Sequence, residues 1–453
     1  MRHAPTDVPG APAPSAAVVF TLTFPFATGE EFLQSEVQHL LECFDDVVIV
    51  PTLLDEGMTR THELPPRVHL VAPQQSKLAL LAGFCLRHPI EAARSGMRAL
   101  GGAESPRTAW ADFRFDLYAS ALARLVAPDV AGVVRAASEV VFYGFWLHIP
   151  TRVALEVRRL TRRNEHPVVS RANGFDLYLE RNARGYLPQR QLLLSGLQTV
   201  FAASPPAQEY LVEHYPEHVS KFTSDRIGTP PPINPGNARR TAFHIVSCSY
   251  IAPVKRLVML IDDIAAAQAS LPFPLVWTHI GAGAGTHAED VYAHAARVLA
   301  PNTYRFLGHM DNRALREWYA HNPASVFAQV SESEGGLAAS IQEGLAQGLP
   351  VIVTAVGGVR VLTEAPDLFD GLLERDHSPE QFVEKLGRLL AADDETYDGY
   401  VRASMAYWAA NCSTDVLAHG FARRLRRMAA ASIDGPDTSV PNDARFARAR
   451  RLR

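Results

Sequence analysis

The sequence lacks the features that mark a secreted or a membrane-spanning protein. Its few cysteines are scattered without metal-ligand spacing, at Cys43, Cys85, Cys248 and Cys412. Isolated thiols of this kind are typical of proteins in a reducing compartment. The longest apolar run, residues 78–86, is much shorter than the roughly 20 residues that a transmembrane helix needs. These absences predict a cytoplasmic protein, and any contact with the inner membrane is expected to be peripheral.

An excess of charge of one sign is also missing. The formal net charge is −4 and charged residues make up 20% of the chain, which argues against a general nucleic-acid-binding protein. Hydrophobic residues make up 47%, the level of soluble globular proteins. A chain of 453 residues is long enough for two domains with separate cores. Residues 1–16 are rich in proline and alanine and have no apolar segment of signal-peptide length, which predicts a disordered leader.

The most informative stretch covers residues 324–358. An apolar run is followed by the polar, glycine-bearing segment 331–336, which predicts a strand and then a loop. Apolar residues at helical spacing predict a helix over 337–347, and a second apolar strand follows at 351–356. This order is a βαβ unit with a glycine loop after each strand. Open α/β sheets bind ligands at that edge.

The loop before this helix combines two kinds of binding group. Glu334 has Ser333, Gly335 and Gly336 beside it, and Glu343 follows inside the helix. Glycines let backbone N–H groups approach an anion, and the helix N-terminus adds a favourable partial charge. A carboxylate instead accepts hydrogen bonds from hydroxyls. Amides suited to phosphate beside a carboxylate suited to hydroxyls predict a nucleotide-sugar site.

This stretch resembles the donor-site signature of retaining glycosyltransferases of family 4, which have the GT-B fold. The matching residues are Ser331, Glu334-Gly335, Glu343, Gly348-Leu349-Pro350-Val351-Ile352 and Val356-Gly357-Gly358. One departure is that eight residues, instead of the family's seven, separate the two glutamates. The resemblance implies an α/β protein of GT-B architecture, with two Rossmann-like domains facing a central cleft.

A second match lies at the start of the C-terminal half. A strand over residues 243–248 leads into a helix whose first turn carries Lys255 and Arg256, and cations are unfavourable there unless an anion binds. The family places an Arg-x4-Lys pair on the donor diphosphate. Lys255 matches the lysine, and Tyr250 stands at the arginine position. We expect Lys255 to bind phosphate, with Arg256 as a partial substitute for the missing arginine.

Further predicted contacts come from loops after other strands. Gly281 marks a second point of backbone approach, and residues 308–312 resemble the family's loop that meets the nucleotide base. His309 there is either a ligand contact or an ordinary loop histidine. Gly29 matches a glycine loop near the cleft, although a structural turn explains it equally well. Leu337, which follows the glycine pair, completes the predicted cofactor-binding set.

The N-terminal half carries its own match over residues 171–178. The family pattern is Arg-Ala-His-Gly-x-Asp-x-Tyr, and Asn173 stands here where the histidine is expected. An amide donates a hydrogen bond but carries no proton near neutral pH, so Asn173 fits a positional role and not an acid–base role. In the first βαβ unit, Thr28 is the predicted cap of a helix over 31–43, with Glu30 in its first turn.

The predicted domain organisation follows from these elements. It comprises a leader (1–16), an N-terminal acceptor-binding domain (17–228), a proline-rich linker (229–240), a C-terminal nucleotide-sugar-binding domain (241–393), helices that pack back on the N-terminal domain (394–430) and a disordered basic tail (431–453). The segment 76–163 is predicted to be mostly helical. Its five arginines between 152 and 163 favour a solvated helix face over a surface for anionic lipid.

The implied activity is transfer of a hexosyl group from a nucleoside diphosphate sugar to a saccharide or lipid-linked saccharide, with retention of the anomeric configuration. Lys255 would stabilise the diphosphate, Glu334 would bind sugar hydroxyls and Glu343 the ribose. No metal and no cofactor besides the donor is implied, and no nucleic-acid partner. The opening of the chain is similar to enzymes of exopolysaccharide and colanic-acid assembly, which implies a role in surface polysaccharide synthesis.

Two alternatives remain open at this stage. A GT-B protein without turnover, acting as a binding or scaffold partner, is favoured by Tyr250, Asn173 and the longer glutamate spacing. A nucleotide-sugar epimerase shares the fold, and fold alone does not exclude it.

Overall fold

The structure is a computed structural model that describes residues 13–27, 29–102, 105–182, 185–236, 238–239 and 243–434. The predicted helix cap Thr28 and the tail from 435 onward lie outside the described residues, as do parts of the leader and of the linker.

The N-terminal half alternates strands with helices. Its strands are β1 (Ser15–Thr21), β2 (Asp46–Pro51), β3 (Val68–Leu70), β4 (Glu139–Gly144), β5 (Val168–Ala172), β6 (Thr199–Ala202) and β7 (Phe222–Ser224). Its helices are α1 (Phe32–Cys43), α2 (Lys77–Arg87), α3 (Pro89–Gly102), α4 (Pro106–Val133), α5 (Ile149–Leu160), α6 (Arg190–Gly196) and α7 (Pro205–His214).

The C-terminal half repeats this alternation. Its strands are β8 (His244–Cys248), β9 (Val276–Ile280), β10 (Tyr304–Phe306), β11 (Val326–Gln329), β12 (Val351–Thr354) and β13 (Leu372–Leu373). Its helices are α8 (Leu257–Ser270), α9 (Thr286–Val298), α10 (Asn312–His321), α11 (Ala339–Ala346), α12 (Pro379–Ala391), α13 (Asp394–Asn411) and α14 (Thr414–Asp434).

Each half forms one parallel sheet. The strand order is β3-β2-β1-β4-β5-β6-β7 in the first sheet and β10-β9-β8-β11-β12-β13 in the second. The central strands are continuous apolar runs, and every residue of β1 is buried. Such runs are expected where helices cover both faces of a parallel sheet. The predicted two-domain α/β fold is confirmed.

The strand orders define one crevice at the carboxyl edge of each sheet. In the first sheet the connections diverge between β1 and β4, and in the second between β8 and β11. Ligands of doubly wound sheets bind at such switch points. The loops after these four strands are therefore where functional side chains are expected.

The chain crosses twice between the two sheets, and the crossings are hydrogen-bonded to each other. The Thr229 amide donates to the Cys412 carbonyl at 2.8 Å, and the Thr414 amide donates to the Thr229 carbonyl at 3.0 Å. The Trp408 indole donates to Thr229 Oγ1 at 2.9 Å. Beyond this junction, α14 packs against α1 and β4 of the first sheet.

The segment 76–163 is mostly helical, as predicted, but it also contains strand β4. This strand lies at the centre of the first sheet, between β1 and β5. All but its first residue are buried. The strand is short and lies between two helices, so periodicity alone did not separate it from them.

Helix α4 corrects the prediction about long apolar segments. The stretch Pro106–Ala136 is long and apolar enough to cross a membrane by length and composition, and 56% of its apolar window is buried in the fold. It packs between α3 and α5. Its Asp116 is fully buried and forms ion pairs with Arg98 and Arg152. The buried apolar surface of α4 is therefore part of the core of this domain.

The predicted solvated basic face is wrong for part of the segment 152–163. Arg152 is only 4% exposed and is paired with Asp116 and Glu156. Arg163 donates hydrogen bonds to the carbonyls of Val134 and Ala137. These arginines tie α5 to its neighbours, whereas Arg162 is exposed.

Two predicted boundaries also shift. Strand β1 begins at Ser15, inside the predicted leader, because the Ser15 amide and hydroxyl both donate to Asp45 Oδ2. Helix α11 begins at Ala339 instead of residue 337. The glycine loop before it is correspondingly longer.

Candidate functional site

An ion pair occupies the switch point of the second sheet. Lys255 ends a short turn after β8, and Glu334 lies in the loop after β11. Lys255 Nζ lies 2.5 Å from Glu334 Oε1, and the two side chains are 17% and 9% exposed. The fold thus joins two residues that are 79 positions apart and that the sequence assigned to the donor site.

Glu334 is held in place by hydrogen bonds to its carboxylate and to its backbone carbonyl. Gln329 Nε2 donates to Glu334 Oε1 at 2.8 Å, and the Ser340 hydroxyl donates to Gln329 Oε1 at 2.7 Å. The Gly358 amide donates to the Glu334 carbonyl at 3.1 Å. A side chain fixed in this way keeps its orientation when a ligand displaces one partner.

The glycines next to Glu334 are needed by the protein itself. A Cβ on Gly335 would lie 1.6 Å from the Asn173 carbonyl oxygen, and one on Gly336 would lie 3.0 Å from that of Ala203. The Ser204 hydroxyl also donates to the Gly335 carbonyl at 2.7 Å. The sequence predicts that these glycines let an anion approach the backbone. In the structure they let the backbone of the other domain approach instead.

Glu343 lies on α11 and is influenced by charges from both domains. Burial raises the pKa of Glu343 to about 8; Arg316 acts in the opposite direction, and Glu31 raises the pKa further. Glu31 belongs to the loop after β1, so the two switch points are within electrostatic reach of each other. A carboxyl group with this pKa is mostly protonated at pH 7 and can donate a hydrogen bond.

Arg256 does not join Lys255. Its backbone is left-handed, with φ of 52°, at the start of α8. Its guanidinium donates to the Arg375 carbonyl at 2.5 Å and lies 3.4 Å from Asp376 Oδ1. Arg256 is thus directed away from Lys255, because adjacent residues at a helix start point in different directions, and its role as a substitute for the missing arginine stays a prediction.

Tyr250 and His309 lie together near the same edge. Their rings are almost parallel, 8° apart, with centroids separated by 6.3 Å. Tyr250 is 54% exposed. Gly281 has φ of 141°, and a Cβ there would lie 1.8 Å from the Ser249 carbonyl oxygen. Its amide donates to the Gly308 carbonyl, so Gly281 joins the loops that carry the two rings.

The remaining predicted contacts of this domain are less accessible. Leu337 is 6% exposed and packs in the core with Ile341 and Leu345, so its side chain does not reach a ligand. The predicted contact of Leu337 with the donor therefore falls to its backbone and stays a prediction. Ser333 is half-buried between Glu332 and Glu334. Buried His279 accepts or donates at Ser247 Oγ, and burial lowers its pKa to about 4.

Asn173 presents an open acceptor from the N-terminal domain. Its Nδ2 lies 3.4 Å from the Phe145 carbonyl. Its Oδ1 is buried and has no hydrogen-bond partner among the described residues. The loop around it is fixed by Asp176, which accepts from the amides of Asn173 and Gly174. A hydroxyl donor would satisfy this oxygen.

The switch point of the first sheet contains a carboxylate that is fully engaged. Glu30 is 2% exposed and accepts hydrogen bonds from the amides of Leu22, Thr23 and Phe24. The Trp146 indole, after β4, donates to Glu30 Oε1 at 2.6 Å. Glu30 therefore binds the loop rather than the start of α1, which corrects its predicted role.

Gly29 closes the same loop. Its φ of 105° is a conformation that glycine adopts without strain, and its amide donates to Glu31 Oε1 at 2.9 Å. Nothing lies within 4 Å of the position of a Cβ. The turn explains this glycine without a ligand.

The described geometry can be compared with known proteins. A family model described as Glycosyl transferases group 1 matches residues 242–392, the segment that contains Lys255, Glu334 and Glu343. Solved structures match over both domains. The chain has the GT-B fold.

Three of these structures illustrate the likeness. The sucrose-phosphate synthase of Thermosynechococcus elongatus has a TM-score of 0.66 at 14% identity, covering 92% of this chain and 100% of that one. An α,α-trehalose-phosphate synthase (UDP-forming) from Burkholderia vietnamiensis has a TM-score of 0.65 at 14% identity, with 94% and 100% covered. The Anabaena protein HepE, in complex with UDP and glucose, has a TM-score of 0.62 at 13% identity, with 91% and 99% covered.

At these identities the likeness establishes the fold and not the reaction. No curated protein matches the chain significantly by sequence. The narrower resemblance, to retaining family 4 enzymes of the colanic-acid type, remains a prediction.

Proposed function

We propose that this protein is a glycosyltransferase that moves a hexosyl group from a nucleoside diphosphate sugar to a saccharide or lipid-linked saccharide, with retention. The observation that carries the proposal is the Lys255–Glu334 pair, which lies at the switch point between β8 and β11. That position lies within the segment matched by the group 1 glycosyltransferase model. The Anabaena structure with UDP and glucose supports UDP as the first nucleotide to test.

The ion pair suggests how a donor enters. A diphosphate offers Lys255 a stronger partner than one carboxylate, because it carries more negative charge. When the ammonium turns to the phosphate, Glu334 retains its bond from Gln329 and gains a free lone pair. Sugar hydroxyls can then donate to Glu334. Lys255 and Glu334 thus neutralise each other before the donor binds, and they separate once it has bound.

In the proposed reaction the bond between the anomeric carbon and the β-phosphate oxygen breaks. The acceptor hydroxyl oxygen forms the new bond on the same face, and its proton passes to the departing phosphate oxygen. Lys255 stabilises the charge that develops on the diphosphate. Protonated Glu343 is a candidate hydrogen-bond donor to a ribose oxygen. No protein base is required, which agrees with a site that has Asn173 at the position of the family histidine.

A scaffold protein is the second candidate, and one observation favours it. Tyr250 stands at the position of the family's arginine, and Arg256 is engaged by Arg375 and Asp376. The diphosphate would therefore rely on Lys255. The two candidates differ in turnover and not in fold.

Calorimetric titration with UDP, GDP and their common sugars, without added metal, tests the proposal. We expect micromolar binding of one nucleotide, lost in Lys255→Ala and kept in Arg162→Ala, whose exposed side chain lies in the N-terminal domain. Donor hydrolysis or transfer is then measured on the same samples. Equal loss in both variants would contradict the site, and binding without turnover would favour the scaffold.

A further inference from the structure

A cluster of histidines and carboxylates lies between α1 and α14, apart from the donor site. His39 and Glu42 are on α1, and His419 and Asp415 are on α14. His39 Nδ1 lies 3.2 Å from Glu42 Oε2, and His419 Nδ1 lies 3.1 Å from the same oxygen. Neither the proposed reaction nor the sequence motifs account for these residues.

We propose that His39, Glu42 and His419 bind a divalent transition-metal ion of the Zn²⁺ class. Their three ligand atoms all lie within 4.8 Å of one another. In a tetrahedral zinc site, bonds of about 2.0–2.1 Å place neighbouring ligand atoms about 3.3 Å apart. The separations of 3.2 and 3.1 Å from the two histidines to Glu42 Oε2 are close to that edge length, and the two histidine nitrogens lie within 4.8 Å of each other.

The chemistry and spacing of the donors support this ion class. Imidazole nitrogen with carboxylate oxygen is a donor set that zinc and related metals accept. Residues three or four apart share one face of a helix, and the cluster uses both spacings: His39 with Glu42, and Asp415 with His419. Helix α1 thus presents two ligands and α14 the third, with Asp415 beside them.

Asp415 adds a negative charge on the other side of the His39 ring. Its Oδ1 lies 3.8 Å from His39 Nε2, the ring nitrogen that faces away from the proposed ion. At this distance Asp415 acts through its charge and not through a hydrogen bond. The rings of His39 and His419 stand at 81° to each other, so they present their nitrogens from different directions.

The accessibility of the cluster allows an ion to enter. The side chain of His39 is 14% exposed, that of His419 44% and that of Glu42 54%. Arg423, one turn beyond His419 on α14, acts electrostatically on the thiol of Cys43, the residue next to Glu42. The positive charge of Arg423 should weaken metal binding, so Arg423→Ala should strengthen it.

The ion would link the two halves of the molecule. Helix α14 follows α13 of the second half and packs on α1 and β4 of the first. A metal bound between α1 and α14 would join the two helices at the place where the chain returns to the first half. The simpler explanation is that Glu42 only accepts hydrogen bonds from two histidines. The experiment must distinguish this explanation from metal binding.

The test is calorimetric titration of the chelator-stripped full chain with Zn²⁺, together with melting temperature with and without the ion. The variants are His39→Gln, His419→Gln and Glu42→Gln. The last keeps an amide oxygen that accepts from both histidines while removing the charged ligand. The matched control is His294→Gln, because His294 also contacts a carboxylate, Asp262 at 2.6 Å, but belongs to no three-residue cluster among the described residues. All proteins carry Cys85→Ser, which removes an exposed thiol.

We expect one Zn²⁺ per chain with Kd of about 1 µM or tighter. Binding should weaken about tenfold or more in each cluster variant, strengthen in Arg423→Ala and stay unchanged in His294→Gln. The ion should raise the melting temperature of the parent protein and not that of Glu42→Gln. No saturable one-to-one binding, or equal binding in Glu42→Gln, would show hydrogen bonds only and overturn the proposal.

Discussion

The two sheets open onto the cleft through crevices of the same topology, and each crevice contains a buried glutamate. In the first sheet, Glu30 accepts from three backbone amides and from the Trp146 indole. In the second, Glu334 forms an ion pair with Lys255 and accepts a hydrogen bond from Gln329. The partners of Glu30 belong to the fold, whereas Lys255 can be offered to a ligand.

This difference shows that a switch point does not define a binding site by itself. The loop amides cannot leave the Glu30 carboxylate without rearranging the backbone, so the glutamate of the first crevice stabilises the loop itself. A lysine side chain has rotatable bonds, so in the proposed function the second crevice exchanges an internal ion pair for a bound diphosphate. The four predictions below test this contrast.

The largest effect is expected from Glu334→Gln. An amide keeps the size of the side chain but leaves Lys255 without its counter-charge and weakens contacts to sugar hydroxyls. We expect transfer or donor hydrolysis to fall about 10²–10³-fold, with a small change in melting temperature. A large loss of stability with unchanged kinetics would place Glu334 with Glu30 as a structural residue.

Glu30→Ala should show the opposite pattern. The substitution leaves the amides of Leu22, Thr23 and Phe24 without their acceptor, which should reduce the free energy of unfolding by about 3 kcal/mol. Urea denaturation measures this loss, and Trp146→Phe should reproduce only the part due to the indole. If nucleotide affinity fell while stability held, the contrast between the two crevices would be wrong.

Gly335→Ala tests the contact between the domains. The added methyl group cannot fit 1.6 Å from the Asn173 carbonyl oxygen, so the domains must move apart. We expect donor affinity to weaken about tenfold, because the two halves of the site separate. Small-angle scattering should show a larger radius of gyration. Gly132→Ala is the control, since nothing lies within 4 Å of its Cβ position, and it should change neither quantity.

The last prediction concerns pH and Glu343. Its folded pKa of about 8 lies above the ordinary value of 4.5, so between these values the folded protein binds more protons than the unfolded chain. Stability should therefore fall as pH rises through this window, by at most about 1.4 kcal/mol per pH unit. Glu343→Gln should remove this slope.

Two further variants check the cause of that shift. Arg316→Ala should move the upper end of the window to higher pH, and Glu31→Gln should move it lower, because these charges act on Glu343 in opposite directions. Unfolding curves between pH 5 and 9 measure both. An unchanged window in Glu31→Gln would show that the two switch points do not interact.

Much of the fold was predictable from the sequence, because local patterns dictate it. Apolar runs followed by glycine loops mark parallel strands buried on both faces, and the segment 324–358 contains a complete βαβ unit of this kind. Lys255 and Glu334 were identified by their motifs. Strand β4 was not predicted because its short apolar run lies between helices. The long apolar character of α4 was not recognised from the sequence, because the helix contains charged residues that are paired only in the fold.

Only the tertiary structure decided how these residues are partnered. A motif states that a glutamate follows a strand, but not whether amides, an indole or a lysine will face it. Glu30 and Glu334 are both glutamates in glycine-bearing loops, and long-range contacts alone separate them. The same holds for Gly335, whose missing side chain admits another domain, and for Arg256, which points to Asp376. Sequence patterns report local conformation, whereas partners distant in the chain are chosen by packing.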